Sequence, residues 1–174
     1  MSLGAMQDWS MRISHVIDHA AREAPDREIV THWADGSETR TDWSGIHRDA
    51  KKMSQALLAL GLTKGDKVAS LAMNHSRHLV SWFGVAGMGG VLHTCNPRLF
   101  EDQLEYIVNH AEDKVMLYDA AFQPIIDKMR GKWPGVEHYI CFDSGEHTIS
   151  FEDWIGAQDG AFEWVGGDER DPCM

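Results

Sequence analysis

With 174 residues, 43% of them hydrophobic and 25% charged, the chain is long enough for one domain with a core of its own. Sixteen Lys and Arg stand against 27 Asp and Glu, a formal net charge of −11 with no basic cluster anywhere. That balance argues against a nucleic-acid binder, which needs a basic patch to displace counterions from phosphates. Cys95, Cys141 and Cys173 are odd in number, widely spaced and free of any CxxC pair, so neither a disulfide framework nor a zinc site is read from them. With no signal peptide and no apolar run near twenty residues, a cytoplasmic location is expected. Residues 1–8 read as a flexible leader, the opening Met1-Ser2-Leu3 as an expression scar.

In chain order, Ile13, Val16, Ile17 and Ala20 share one face of a helix running from about Trp9 to Glu23. REIVTHW and ETRTDW flank ADGS and predict a β-hairpin whose turn is supplied by Asp35-Gly36. Ile46, Ala50, Met53, Leu57 and Leu60 recur at three- and four-residue steps, a strong amphipathic helix. Thr41 or Asp42 caps its start and Gly61 ends it in the left-handed position. Gly65-Asp66 then turns into the strand VASLAM. Ser76 reads as the cap of a helix carrying Leu79, Val80 and Phe83. VLHTC follows as a strand, then a helix built on Phe100, Leu104, Ile107 and Ala111. VMLY is the third strand, a helix with Phe122, Ile125, Ile126 and Met129 follows, and HYICF is the fourth strand. Short strands, apolar at both alternating positions and separated by helices, predict a doubly wound, mostly parallel α/β sheet with helices on both faces, preceded by a helix and a hairpin. The α/β unit is expected over 9–145. SFEDWI reads as a short helix, and 146–174 as an acidic, aperiodic, exposed connection.

Ligands of an open parallel sheet bind beyond the carboxyl ends of its strands. By position this makes Asn74, His75, His93, Asn96, Asp119 and Asp143 candidates. Capping is the stronger reading for each Asn and Asp, and Pro97 suits the first turn of a helix. His93, inside a strand among apolar neighbours, reads first as a satisfied core histidine and second as the wall of a tunnel. His15 and His19 have metal-ligand spacing but no third ligand. The glycines of GVAGMGG end a helix rather than follow a strand, so they are not a dinucleotide fingerprint, and no phosphate loop or nucleophile elbow occurs. No complete catalytic constellation and no metal site is read from the residues.

Trp43 to Asp119 resembles the acyl-CoA synthetases of the adenylate-forming superfamily, in particular medium- and long-chain fatty-acid–CoA ligases. The phrases carrying the resemblance are TDWSGIHRDAKKMSQALLALGLTKGDKVASLAMNHSRHLVSWFGVAGMGGVLHTCNPRL and FEDQLEYIVNHAEDKVMLYD, with GMGGVLHTCNPRL the most specific. The resemblance implies a parent enzyme that joins a fatty acid to CoA through an acyl-adenylate, using ATP and Mg2+, with peripheral membrane contact within its range. It also implies that the phosphate-holding loop lies just beyond a segment similar to GGDERDPCM, so that the chain is a front part, inactive alone and binding none of these cofactors tightly. His93, Asn96 and Arg98 are then candidates for the wall of the acyl or pantetheine tunnel. Severed from a second sheet, such a piece is expected to self-associate or to be marginally stable. Two other readings stay open: a stand-alone flavodoxin-like module for a small anionic ligand, and a noncatalytic assembly piece.

Overall fold

The computed structural model describes residues 9–33, 35–143 and 150–174. The expected leader, Ala34 of the ADGS run and the boundary at 145/146 lie outside them. Helix α1 (Ile13–Glu23) turns Ile17 wholly inward and leaves Val16 exposed. Strands β1 (Glu28–His32) and β2 (Glu38–Asp42) pair antiparallel, with Val30 opposite Arg40. Gly36 adopts φ +84° in the connection, where the Asp35 carboxylate accepts the Ser37 N–H at 2.9 Å. Helix α2 (Trp43–Ala59) buries Ile46, Ala50, Met53 and Leu57. Of its two candidate caps Asp42 is the one used, accepting the Gly45 N–H at 2.7 Å.

The chain then alternates through β3 (Lys67–Leu71), α3 (Ser76–Gly87), β4 (Val91–Thr94), α4 (Glu101–Ala111), β5 (Val115–Tyr118), α5 (Gln123–Met129), β6 (His138–Cys141) and α6 (Phe151–Gly156). The four strands form one parallel sheet in the order β4-β3-β5-β6. Alternation of side chains divides the core in two. Val68, Leu92, Val115, Leu117 and Ile140 face α1, α2, α3 and α6, whereas Ala69, Leu71, Met116, Tyr118 and Cys141 face α4 and α5. The sheet is thus doubly wound and covered on both faces, as the strand–helix alternation predicts. No helix among the described residues is long and apolar enough to cross a membrane.

Two local readings are corrected. The cap of α3 is His75, one residue before Ser76: its Nδ1 accepts the His78 N–H at 3.1 Å. Phe100 is not a core position of α4 but precedes it at 77% exposure, because the helix begins one residue later and turns Leu104 and Val108 to the sheet instead.

From Gln158 onward the chain forms neither helix nor strand, yet it is tied down along its length. Gln55 accepts the Gly160 N–H at 2.8 Å, Asp18 accepts Trp164 Nε1–H at 2.8 Å, and Leu92 on the outer edge of β4 donates to the Cys173 carbonyl at 3.0 Å. The GVAGMGG glycines explain how this strap fits. A Cβ on Gly87 would lie 2.3 Å from the Trp164 ring, and one on Gly84 would lie 2.8 Å from Met53 of α2. Small residues here let α2, α3 and the strap close on one another.

Candidate functional site

The connection leaving β3 runs through α3 on one face and the connection leaving β5 runs through α5 on the other, so the topological switch point lies between the ends of β3 and β5. In this chain the crevice is filled from within. Asp119, just beyond β5, accepts the Met73 N–H at 2.7 Å through one carboxylate oxygen and the His75 Nε2–H at 2.8 Å through the other, and both Asp119 and His75 are buried. Because His75 Nδ1 accepts a backbone N–H, the ring proton must sit on Nε2, facing the carboxylate. Thr31 Oγ1 from the hairpin takes the Ser76 N–H at 3.0 Å. The Ser76 and His78 N–H groups at this helix start are thus taken by the protein's own side chains.

The neighbours extend the same lattice. His78 meets Ser70 Oγ at 3.1 Å, and burial, with His75 adding to it, holds its imidazole below the ordinary histidine range. Asp143 accepts the Ala120 N–H at 2.8 Å and pairs with Arg77, which also reaches Glu152 and lies over the Trp33 ring at 5.3 Å. Sequence reasoning placed Asp119 and Asp143 at the strand ends but assigned them to local caps; their partners lie 46 and 23 residues away in sequence, which no local pattern encodes. It missed Arg77 altogether.

The three tunnel candidates separate into two groups. Asn96 and Arg98 are exposed and share one turn beyond β4, where Asn96 Oδ1 accepts the Arg98 N–H at 2.9 Å. His93 faces the α4 side of the sheet, and its Nδ1 lies 2.7 Å from the Asp113 carboxylate, whose side chain is fully buried. That hydrogen bond, with Cys95 adding to it, raises His93 to about 10 despite partial burial. Burial pushes the Asp113 carboxyl upward while His93 pulls it back. The pair is therefore a buried imidazolium–carboxylate contact. Among the described residues no hydrogen bond joins His93 to Asn96 or Arg98.

Two further features bear on ligands. A groove of about 460 Å³ opens between β1, α3 and β4, walled by Val30, Leu79, Trp82 and Leu92, and the buried Trp82 Nε1–H has no acceptor there. Among the described residues no three His, Cys, Asp or Glu side chains converge to hold a metal ion.

Comparison with known proteins fits this geometry into a wider frame. The sequence profile described as "AMP-binding enzyme" matches residues 17–166. The chain is 39% identical to 3-methylmercaptopropionyl-CoA ligase of Ruegeria lacuscaerulensis over 97% of its length and 33% of that protein. It is 38% identical to the medium-chain-fatty-acid–CoA ligase of Ectopseudomonas oleovorans over 97% of its length and 32% of that protein. The chain thus spans about a third of the length of the curated relatives it matches. Among solved structures, an anthranilate CoA ligase in complex with anthranoyl-AMP superposes with a TM-score of 0.83 over 95% of this chain and 31% of that one, at 21% identity. A long-chain-fatty-acid–CoA ligase from Archaeoglobus fulgidus gives 0.81 over 98% and 35%, at 19% identity. At those identities the likeness is one of fold.

Proposed function

Because the chain belongs to the AMP-binding enzyme family, we propose that it is the front part of an ATP-dependent acid–CoA ligase acting on a fatty or similar aliphatic acid. The family match over residues 17–166 carries this reading, and relatives that ligate medium-chain and methylmercapto-substituted acids to CoA support the substrate class. The acid would be activated as its adenylate and handed to CoA, with ATP and Mg2+ bound by parts of the enzyme outside these residues. The role of this segment is then support: a rigid sheet whose strand ends are braced by their own side chains. His93, Asn96 and Arg98 remain our candidates for the tunnel wall, with Asn96 and Arg98 the exposed pair.

The test is acid-dependent exchange of pyrophosphate into ATP by the whole enzyme of which this segment is the front. Exchange that responds to straight-chain acids of graded length supports the reading, and no exchange with any acid overturns it. For the 174-residue chain alone, calorimetry with ATP and with FMN is expected to show no micromolar binding. Light scattering and thermal unfolding are expected to show self-association or marginal stability of the chain alone; a monodisperse monomer with a high unfolding midpoint would count against that.

A further inference from the structure

At the start of α1 lies a cavity of about 130 Å³, lined by Arg12 and Ser14, by Lys64 and the Gly89-Gly90 turn, and by the strap around Gly167 and Glu169. Lys64 and Gly90 lead into β3 and β4, so the cavity sits at the opposite edge of the sheet from the strand ends described above. Its chemistry favours an anion. Helix α1 begins with no side-chain cap and no acidic residue in its first turn, although the positive end of a helix is ordinarily satisfied by one or the other. Among the described residues neither the Ile13 nor the Ser14 N–H has an acceptor. Ser14 is 2% exposed, yet its hydroxyl meets no partner, and a buried polar group left unmet calls for an explanation. Arg12 donates to the Val165 carbonyl but pairs with no carboxylate among the described residues, which leaves a half-buried guanidinium with donors to spare. The other charges are mostly matched: Lys64 pairs with Asp171 at 2.8 Å and Arg170 with Asp168 at 2.9 Å. Glu169 is left over. It is exposed, and one of its oxygens accepts the Met11 N–H at 2.9 Å.

We propose that this cavity binds inorganic phosphate, with the first amides of α1, the Ser14 hydroxyl and Arg12 donating to its oxygens and Glu169 accepting the proton that the anion still carries. A helix start and a guanidinium are the usual donors to such a group. At about 30 Å³ per water the cavity has room for roughly four waters, which suits one tetrahedral oxyanion and not the linked phosphates of a nucleotide. Glu169 sets the selectivity. A carboxylate repels an oxyanion that has no proton to give, so sulfate is disfavoured. A phosphate monoester, whose second pKa is about 6, has lost its last proton near pH 8 and is disfavoured on the same ground. Neither the acid nor the CoA of the parent enzyme takes part here, and failure of the phosphate site would leave the pyrophosphate exchange untouched.

The experiment titrates the 174-residue chain near pH 8, in phosphate-free buffer at fixed ionic strength, with inorganic phosphate, sulfate and phosphoserine, read by calorimetry. Phosphate is expected to bind at least about tenfold more tightly than either of the others, the worth of one hydrogen bond to a charged group. Glu169→Gln should bring sulfate to within about threefold of phosphate, because the amide accepts from one anion and donates to the other. Ser14→Ala should weaken phosphate about tenfold and leave the phosphate-to-sulfate ratio intact. If Ser14→Ala does not fold, that ratio in the unaltered chain and in Glu169→Gln, a change at an exposed side chain, still decides. No phosphate binding up to about 10 mM, sulfate or phosphoserine binding as tightly as phosphate, or a ratio that Glu169→Gln leaves unchanged overturns the proposal.

Discussion

The buried pair between β4 and the start of β5 makes an asymmetric prediction. His93→Gln strands the Asp113 carboxylate, whose side chain has no exposure at all, without a cation. Breaking a buried pair in this way costs about 3–5 kcal/mol, and the lower end applies because the Gln amide can still donate. Asp113→Asn leaves His93, whose side chain is 25% exposed and can lose its proton, so the cost is that of a weakened hydrogen bond, about 1–2 kcal/mol. The double variant carries no charge at the site and should cost less than the two singles summed, a coupling of roughly 2 kcal/mol. Urea unfolding followed by tryptophan fluorescence at pH 7 measures all three.

The same pair fixes the sign of a pH effect. His93 is raised from its ordinary 6.5 to about 10, so the stability it contributes is complete below pH 6.5 and is lost as pH climbs through 10. Asp113, raised by burial, has the same sign at acid pH: its contribution is complete below its ordinary 3.8 and is lost as pH rises through its folded-state value. The unaltered chain should therefore lose stability between pH 7 and 10, and Asp113→Asn should show a flatter curve there. Equal costs for the two single variants, or parallel pH curves, would refute the ion-pair assignment.

Gly87→Ala places a methyl 2.3 Å from the Trp164 ring and should destabilise by about 1–3 kcal/mol, with early proteolysis of the strap after Trp164 as the specific sign. Glu112, the C-cap of α4, holds φ +59°, so Glu112→Gly should raise stability by about 1 kcal/mol, its 3.9 Å contact with Lys67 being too exposed to matter. Asp119→Asn swaps a two-way acceptor for a group that presents N–H to N–H and should cost about 2–3 kcal/mol by thermal unfolding. His78, lowered from 6.5, takes its proton in the unfolded state first; stability should fall as pH drops below 6.5, and His78→Gln should remove part of that slope.

The order of helices and strands was legible because each element declares itself locally. The steps Ile46, Ala50, Met53, Leu57 read as a helix face and bury as one, and VMLY is apolar at every position because both faces of β5 are covered. What escaped was set by distance in the chain. The strap illustrates this: its anchors are an aspartate in α1, a glutamine in α2 and an edge strand, and none of these alters the composition of 158–174. His75 escaped for a different reason. Serine is the stronger prior at a helix start, and only the Asp119 carboxylate, by holding Nε2–H, frees Nδ1 to act as the cap.

That last contact bears on what the strand-end edge can do. A parallel sheet with polar residues beyond each strand advertises a site, but a site needs donors and acceptors with spare capacity. Here Asp119 spends both oxygens on the β3–α3 connection, Asp143 ties the residue after Asp119 to Arg77, and Asn96 closes its own turn. Each bond joins the end of one strand to the start of the next helix or to a neighbouring connection. Such an edge is stiff and electrostatically self-contained, which suits a frame that must hold still while chemistry happens beside it. Among the described residues the buried side-chain atoms with unspent capacity lie elsewhere, in the Trp82 N–H within the apolar groove, the second oxygen of Asp113, and Ser14 Oγ and His15 Nδ1 on α1.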